Sequence, residues 1–361
     1  MERQGLISPF QLTVLLFLSR LFTIMTYVPA MEGQEENGLV LLLGLLVSPL
    51  AQMALLGLGL LFCRRGRENS PLSFSAAGTG PLRRIVAAGY WLLVGAVCLY
   101  SVVGFIRFLA EAFYDSRFLW VLAATFCGAV GFCANRGVEA LARASTVLLA
   151  LTAVGLILLG GGMVGTADPQ NFLMPLWDKN LFLQGIWQGV AMNFELMAIL
   201  LLQSATTQGG LRTGAVWTLL GLCSLLTVGM GLGVTFSLGY YGQGKEYPLF
   251  SAAQAARLLF MERLDSAFLG LWILLGLVKV TLFLWLMTQL WGKVLQRPVT
   301  GLMTAVHSGG LLAAALLVDA FHGGGWLTRS MTMGWVPVLG VFFLPLVGFS
   351  AARHEERKKK A

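Results

Sequence analysis

Ten long apolar runs dominate this chain of 361 residues and leave it few ways to fold. They cover roughly 8–29, 38–62, 86–110, 118–135, 143–164, 183–204, 213–237, 267–291, 299–318 and 332–350. Inside a bilayer only helices and closed barrels satisfy the hydrogen bonds of the backbone. A barrel strand is about 10 residues of alternating polarity. These runs are unbroken, and most reach the roughly 20 residues a helix needs to cross hydrocarbon. The chain therefore reads as an all-α integral membrane protein with ten transmembrane helices. Its composition agrees, with 57% hydrophobic and 12% charged residues against about 25% charged in soluble domains. No polar stretch is long enough for a second domain. Residues 1–350 are expected to form one membrane domain and residues 351–361 a basic tail.

Orientation follows the placement of Lys and Arg. With the N-terminus taken as cytoplasmic, the inner segments carry 16 of these cations, the outer segments 6 and the spans 3. Both termini are thus expected in the cytoplasm. The net charge of +8 is mainly this topology signal, so no nucleic-acid partner is expected. The tail His354–Lys360 is expected to lie solvated beside anionic membrane lipid. Arg20 interrupts the first span and no small-x-small site follows, so that span is not expected to be a cleaved signal. Five cysteines lie in or beside spans without metal-ligand spacing, which predicts neither a disulfide nor a zinc site. No nucleophile–base or metal constellation points to an enzyme, and none points to a bound cofactor.

Three charges lie where water should be absent: Arg20 in span one, Glu195 in span six and Lys279 in span eight. Each would cost about 2.5–3.5 kcal/mol unpaired at the centre of a bilayer. Together that is about 7–10 kcal/mol, comparable with the net stability of a typical fold. They are expected to pair or to face a wet cavity, with Glu195 held by Arg20 or Lys279. The second cation would then be compensated by backbone carbonyls or by a ligand carboxylate. Polar neighbours Thr23, Thr26 and Asn193 are candidates for contacting a small ligand. Tyr100 and Ser101 are candidate cavity walls. Thr in a membrane helix more often bonds its own backbone carbonyl. Arg107 has Glu111 one turn on, an i,i+4 pair that needs no ligand. His307 is expected to be structural.

Spans one and six start about 175 residues apart, and so do spans two and seven. Five crossings per half would make the second half inverted, a common plan for secondary transporters with the binding site at mid-membrane. The repeats would cover about 8–164 and 183–350. Gly189 and Asn193 allow an unwound turn in span six, and an ordinary helix with a buried Asn fits as well. Pro29 is expected to end span one. Leu249–Leu264 has apolar residues at helical spacing, consistent with a lid or with a packed connecting helix. Glycines inside spans, among them Gly155, Gly160, Gly161, Gly162, Gly229, Gly231 and Gly233, are read as packing positions.

Particular motifs carry a resemblance. Tyr247-Pro248, Glu262-Arg263-Leu264-Asp265, Trp272 and Val278-Lys279-Val280-Thr281-Leu282-Phe283-Leu284 resemble the spore germination permease family. The opening Ile7-Ser8-Pro9-Phe10-Gln11-Leu12 and Phe194-Glu195 in span six are similar to family segments too. The resemblance spans nearly the whole chain. It implies the amino acid–polyamine–organocation superfamily and a leucine-transporter-like fold of two inverted five-helix repeats. It implies a permease-like subunit of a germinant receptor in the cell or inner spore membrane. That subunit would sense a small germinant such as an amino acid and signal to other receptor subunits. The ligand-binding candidates are then Arg20, Thr23, Thr26, Tyr100, Ser101, Asn193, Phe194, Glu195 and Lys279. A lysine in span eight would stand where sodium-driven relatives hold a coupling cation. The chain departs from the family in having Leu21–Thr26 where span one is usually broken at Gly, and Phe194 where Gly usually precedes the Glu. A proton- or cation-coupled amino-acid transporter and a non-binding membrane scaffold are the alternatives.

Overall fold

The computed structural model describes residues 7–26, 38–65, 81–113, 118–171, 176–207, 210–257, 264–321 and 323–350. The first helix, α1 (Pro9–Thr26), starts on local chemistry. Ser8 and Gln11 exchange side-chain-to-backbone hydrogen bonds of 3.1 and 3.2 Å, a capping box, and Pro9 takes the first helical position. Then follow α2 (Gly38–Arg65), α3 (Pro81–Phe113), α4 (Leu119–Asn135) and α5 (Gly137–Gly165). The turn between α4 and α5 is a single residue followed by Gly137 at φ 84°, a conformation glycine adopts without a Cβ penalty. Span six is two pieces, α6 (Lys179–Ala191) and α7 (Glu195–Leu201), bent by 40°. Next come α8 (Thr213–Leu238), a short α9 (Pro248–Ala255), α10 (Asp265–Leu295) and α11 (Gly301–Ala320). The last span is again broken, α12 (Gly324–Thr332) meeting α13 (Val336–Ser350) at 54°.

Among the described residues, seven helices are long and apolar enough to cross a membrane, or nine if each bent pair is one span. Leu119–Asn135 is shorter, at 17 residues. These elements follow the apolar runs within a few residues at most ends. Pro29, Glu262, Arg263 and the tail 351–361 lie outside the described residues.

Burial sorts the helices. The apolar window of α1 is 78% buried and that of α10 67%, against 22% for α5 and 28% for α11. α1 and α10, with the equally buried α3, therefore lie at the centre of the bundle, while α5 and α11 turn Val147, Ile157, Leu302 and similar residues outward to where lipid would lie. α1 packs on α5, α7, α8 and α10; α3 on α4, α10, α11 and α12; α10 on α4 and α5; α2 on α6, α8 and α13; and α5 on α8.

α2 and α6 cross closely because glycines face each other. A Cβ at Gly44 would run into the Phe182 carbonyl, and one at Gly185 into the Leu41 carbonyl. Gly155, Gly162, Gly231 and Gly233 also meet neighbouring side chains, as packing positions should. Gly160 and Gly229 face open space. Pro49 interrupts α2 and cannot donate to the Leu45 carbonyl four residues back. Ser48 and, from α8, Ser224 donate to that carbonyl instead, at 2.7 and 2.5 Å.

α9 packs on α5, α8 and α10 as a connecting helix, with Phe250 edge-on to Phe108 at 5.0 Å. Arg107 pairs across to Glu246 at 2.8 Å, rather than back to Glu111. Trp91 donates to His307 Nε2 at 3.1 Å, so Nδ1 carries the proton and donates to the Met303 carbonyl at 2.7 Å. Both ring nitrogens are thereby used structurally.

Candidate functional site at the break of span six

Breaking a helix strands carbonyls that the next turn would have bonded. Span six breaks at Met192-Asn193-Phe194, and other helices fill the vacancy. Gln52 on α2 donates to the Gly189 carbonyl at 3.0 Å and accepts from Asn193 Nδ2 at 2.7 Å. Arg20 on α1 donates through Nη1 to the Met192 carbonyl. The cation of span one thus serves the backbone of the break and leaves Glu195 to the other cation.

Glu195 opens α7, and Lys279 Nζ on α10 reaches its Oε1 at 2.5 Å. Ser19 donates to the same oxygen at 2.8 Å. Lys279 also donates to Thr23 Oγ1 at 2.8 Å. The ammonium lies 5.5 Å from the Phe194 ring centroid and 5.2 Å from that of Phe283, within cation–π range. Ser19 and Thr23 are one helical turn apart on α1, so that turn presents one face to both members of the pair. Lys279 is 0% exposed and Glu195 2%.

Three buried polar atoms at this junction have no hydrogen-bond partner among the described residues: Glu195 Oε2, Asn193 Oδ1 and Arg20 Nε. Buried polar atoms are rarely left so. Two are acceptors and one is a donor.

Of the remaining candidates, Thr26 and Tyr100 pack around the junction, and Ser101 is held by its own turn. Thr26 accepts from Trp272 Nε1 at 2.8 Å and donates to its own backbone at Phe22. Ser101 donates to the Val97 carbonyl at 2.8 Å. Tyr100 sets its ring edge-on to Phe194 at 5.6 Å. On the side of Lys279 away from the chain's start, Trp272 packs against Phe22, Phe105 and Phe108, with centroids 5.1, 5.2 and 4.0 Å away. Gln52 and Ser19 are the residues that sequence reasoning missed; the signal of Gln52 was a polar side chain in a largely apolar span, three residues after Pro49, and that of Ser19 its place beside Arg20. No group of three or more potential metal ligands occurs among the described residues.

Comparison with curated proteins finds no match. Among solved structures, the crystal structure of the Eremococcus coleocola manganese transporter, in complex with an aromatic bis-isothiourea substituted compound, is similar. It is 12% identical, the alignment covers 96% of this chain and 86% of that one, and the TM-score is 0.50. At that identity the likeness is one of fold. The family described as "Spore germination protein" matches residues 6–319, which contain the capping box, the break and the Lys279 segment. The chain belongs to this spore germination protein family of membrane permeases.

Proposed function

We propose that this chain is the permease-like subunit of a spore germinant receptor, and that it recognises a small zwitterion such as an amino acid at the break of span six. One observation carries the reading: a buried junction of α1, α6, α7 and α10 holds an ion pair and still leaves two acceptors and a donor unsatisfied. An α-ammonium group supplies donors for Glu195 Oε2 and Asn193 Oδ1, and an α-carboxylate supplies an acceptor for Arg20 Nε. Thr23 and Phe194 lie against Lys279 there, with Tyr100 packed on Phe194 and Thr26 bonded to Trp272.

The ten-helix inverted repeat is part of the proposal, with each broken pair counted as one span and α4 as the fourth. Neighbour relations support it, because exchanging the first five spans with the last five turns one observed contact into another. α2 on α6 exchanges with α8 on α1, α3 on α11 with α10 on α4, α3 on α12 with α10 on α5, and α2 on α13 with α8 on α5. Such an exchange puts the junction at the interface of the repeats, where transporters of this plan bind substrate. With the basic segments inward, both termini are cytoplasmic.

Binding moves a conformational equilibrium only by its differential affinity for the two states. Replacing Glu195–Lys279 contacts by contacts to ligand supplies such a difference, and partner subunits would receive it. A scaffold that binds nothing is the second reading, favoured by the complete burial of Lys279.

Binding of labelled amino acids to the full chain in nanodiscs tests this, with Glu195→Gln and Lys279→Ala beside the parent. Saturable binding weakened by about tenfold or more in Glu195→Gln, as for loss of a charge-assisted bond, is the expected result. Identical binding in all three removes the junction from recognition, and no binding with partners co-expressed favours the scaffold. Accumulation by the chain alone in proteoliposomes would turn the sensor into a transporter.

A further inference from the structure

A second polar space lies away from this junction, at the end of the bundle where α1 begins. A cavity of about 730 Å³ opens between the α4–α5 turn, the last turns of α10 and the first turn of α11. Its charged lining is Arg136, Lys293 and Arg297 against the single carboxylate Glu139. Glu139 is already paired with Arg143, one turn along α5. None of the three cations meets a carboxylate among the described residues. The Arg136 guanidinium rests 4.8 Å from the Phe132 ring centroid, which seats it without neutralising it.

The backbone adds to the same field. α5 and α11 both start at the cavity wall, at Gly137 and Gly301. Helix N-termini carry partial positive charge and unbonded N–H groups. The residue before α5, Arg136, makes no side-chain cap, whereas Thr300 before α11 already accepts from Met303 N at 3.3 Å and leaves the Gly301 and Leu302 N–H groups. The opposite polarity of the α10 C-terminus is blunted, because Gln296 N and Arg297 N donate to the Lys293 and Gly292 carbonyls at 3.3 and 3.0 Å. Deeper in, the cavity is lined by Thr288 and Thr304, both buried. The space is thus positive at its mouth, polar within, and larger than a bare inorganic ion needs.

We propose that this cavity binds a phosphate-bearing anion, with Arg136, Lys293 and Arg297 as the charged contacts and the first turns of α5 and α11 as the neutral donors. The phosphate can arrive on a lipid headgroup or in solution; basic pockets between membrane helices are suited to the former. The inference stands on the cavity alone and is independent of ligand binding at span six.

The test uses the full purified chain in detergent. Inorganic phosphate and short-chain phosphatidylglycerol are titrated separately, with phosphatidylcholine as the zwitterionic control, and binding and the midpoint of thermal unfolding are read. A rise in midpoint with either anion and not with phosphatidylcholine supports the site. Phosphate acting alone identifies a soluble ligand, and phosphatidylglycerol acting alone a lipid. The K293Q/R297Q variant should weaken the effective anion by about tenfold or more, as for loss of charge-assisted bonds. Arg297 is exposed and Lys293 partly so, and the midpoint without anion verifies that the variant is folded. Arg329→Gln, on α12 and outside the cavity, should bind as the parent does. The proposal is overturned if neither anion binds above the control, if K293Q/R297Q binds like the parent, or if Arg329→Gln loses binding equally.

Discussion

Removing one member of a buried ion pair costs more than the pair contributes, because the other charge stays behind without compensation. Lys279→Met and Glu195→Gln should therefore each lower stability, the first by about 3–5 kcal/mol. The double variant should lose less than the sum. Unfolding of the four proteins of this cycle in one detergent measures the coupling; strict additivity would mean that the 2.5 Å contact carries no interaction energy. That these charges would be paired was legible from sequence, since a charge among leucines has to be compensated. Which cation takes Glu195 was not legible. Arg20 and Lys279 lie at similar depth, and the choice is made by Met192, whose carbonyl is released only when span six breaks. Thr26 and Ser101 were equally ambiguous, because a hydroxyl in a helix can bond its own turn or a ligand, and here both bond their own turn.

The break itself belongs to the scale of the element. Met192-Asn193-Phe194 contains no Pro or Gly, and local propensity alone would allow the helix to continue. Partners on α1 and α2 tip the balance by satisfying the freed carbonyls. Gln52→Leu removes the partner of Gly189 O and of Asn193 Nδ2. Each orphaned group should cost about 1–3 kcal/mol. Amide exchange across 189–195 should quicken accordingly, and an unchanged exchange pattern would show that the break holds itself. The α2–α6 crossing makes a second prediction. Gly185→Val forces the helices apart at the Leu41 carbonyl and should destabilise by about 1–3 kcal/mol or more. Gly229→Ala faces open space and should be close to neutral in the same unfolding measurement. Sequence alone could not separate those glycines, because small residues at lipid and at helix contacts look alike until the partner helix is known.

For the whole molecule, the apolar runs gave most helix ends within a few residues, because hydrocarbon thickness fixes element length without reference to neighbours. The arrangement of the helices depends on contacts between distant residues, of which spacing gives only a hint. One such contact joins the start of the chain to the end of span six: Ile7 N donates to the Ala205 carbonyl at 3.0 Å, and Thr207 N to the Ile7 carbonyl at 3.1 Å. Deleting residues 1–7 should speed amide exchange at Thr207 and leave the interior of α10 unchanged; an unaltered Thr207 would mean that the bridge carries no protection. The aromatic rings over Lys279 have a further consequence for timing. A lysine with no exposed surface meets a solute only after the packing around it opens. Arrival would then be governed by an internal clock, and the observed rate would level off with rising solute concentration at the frequency of opening.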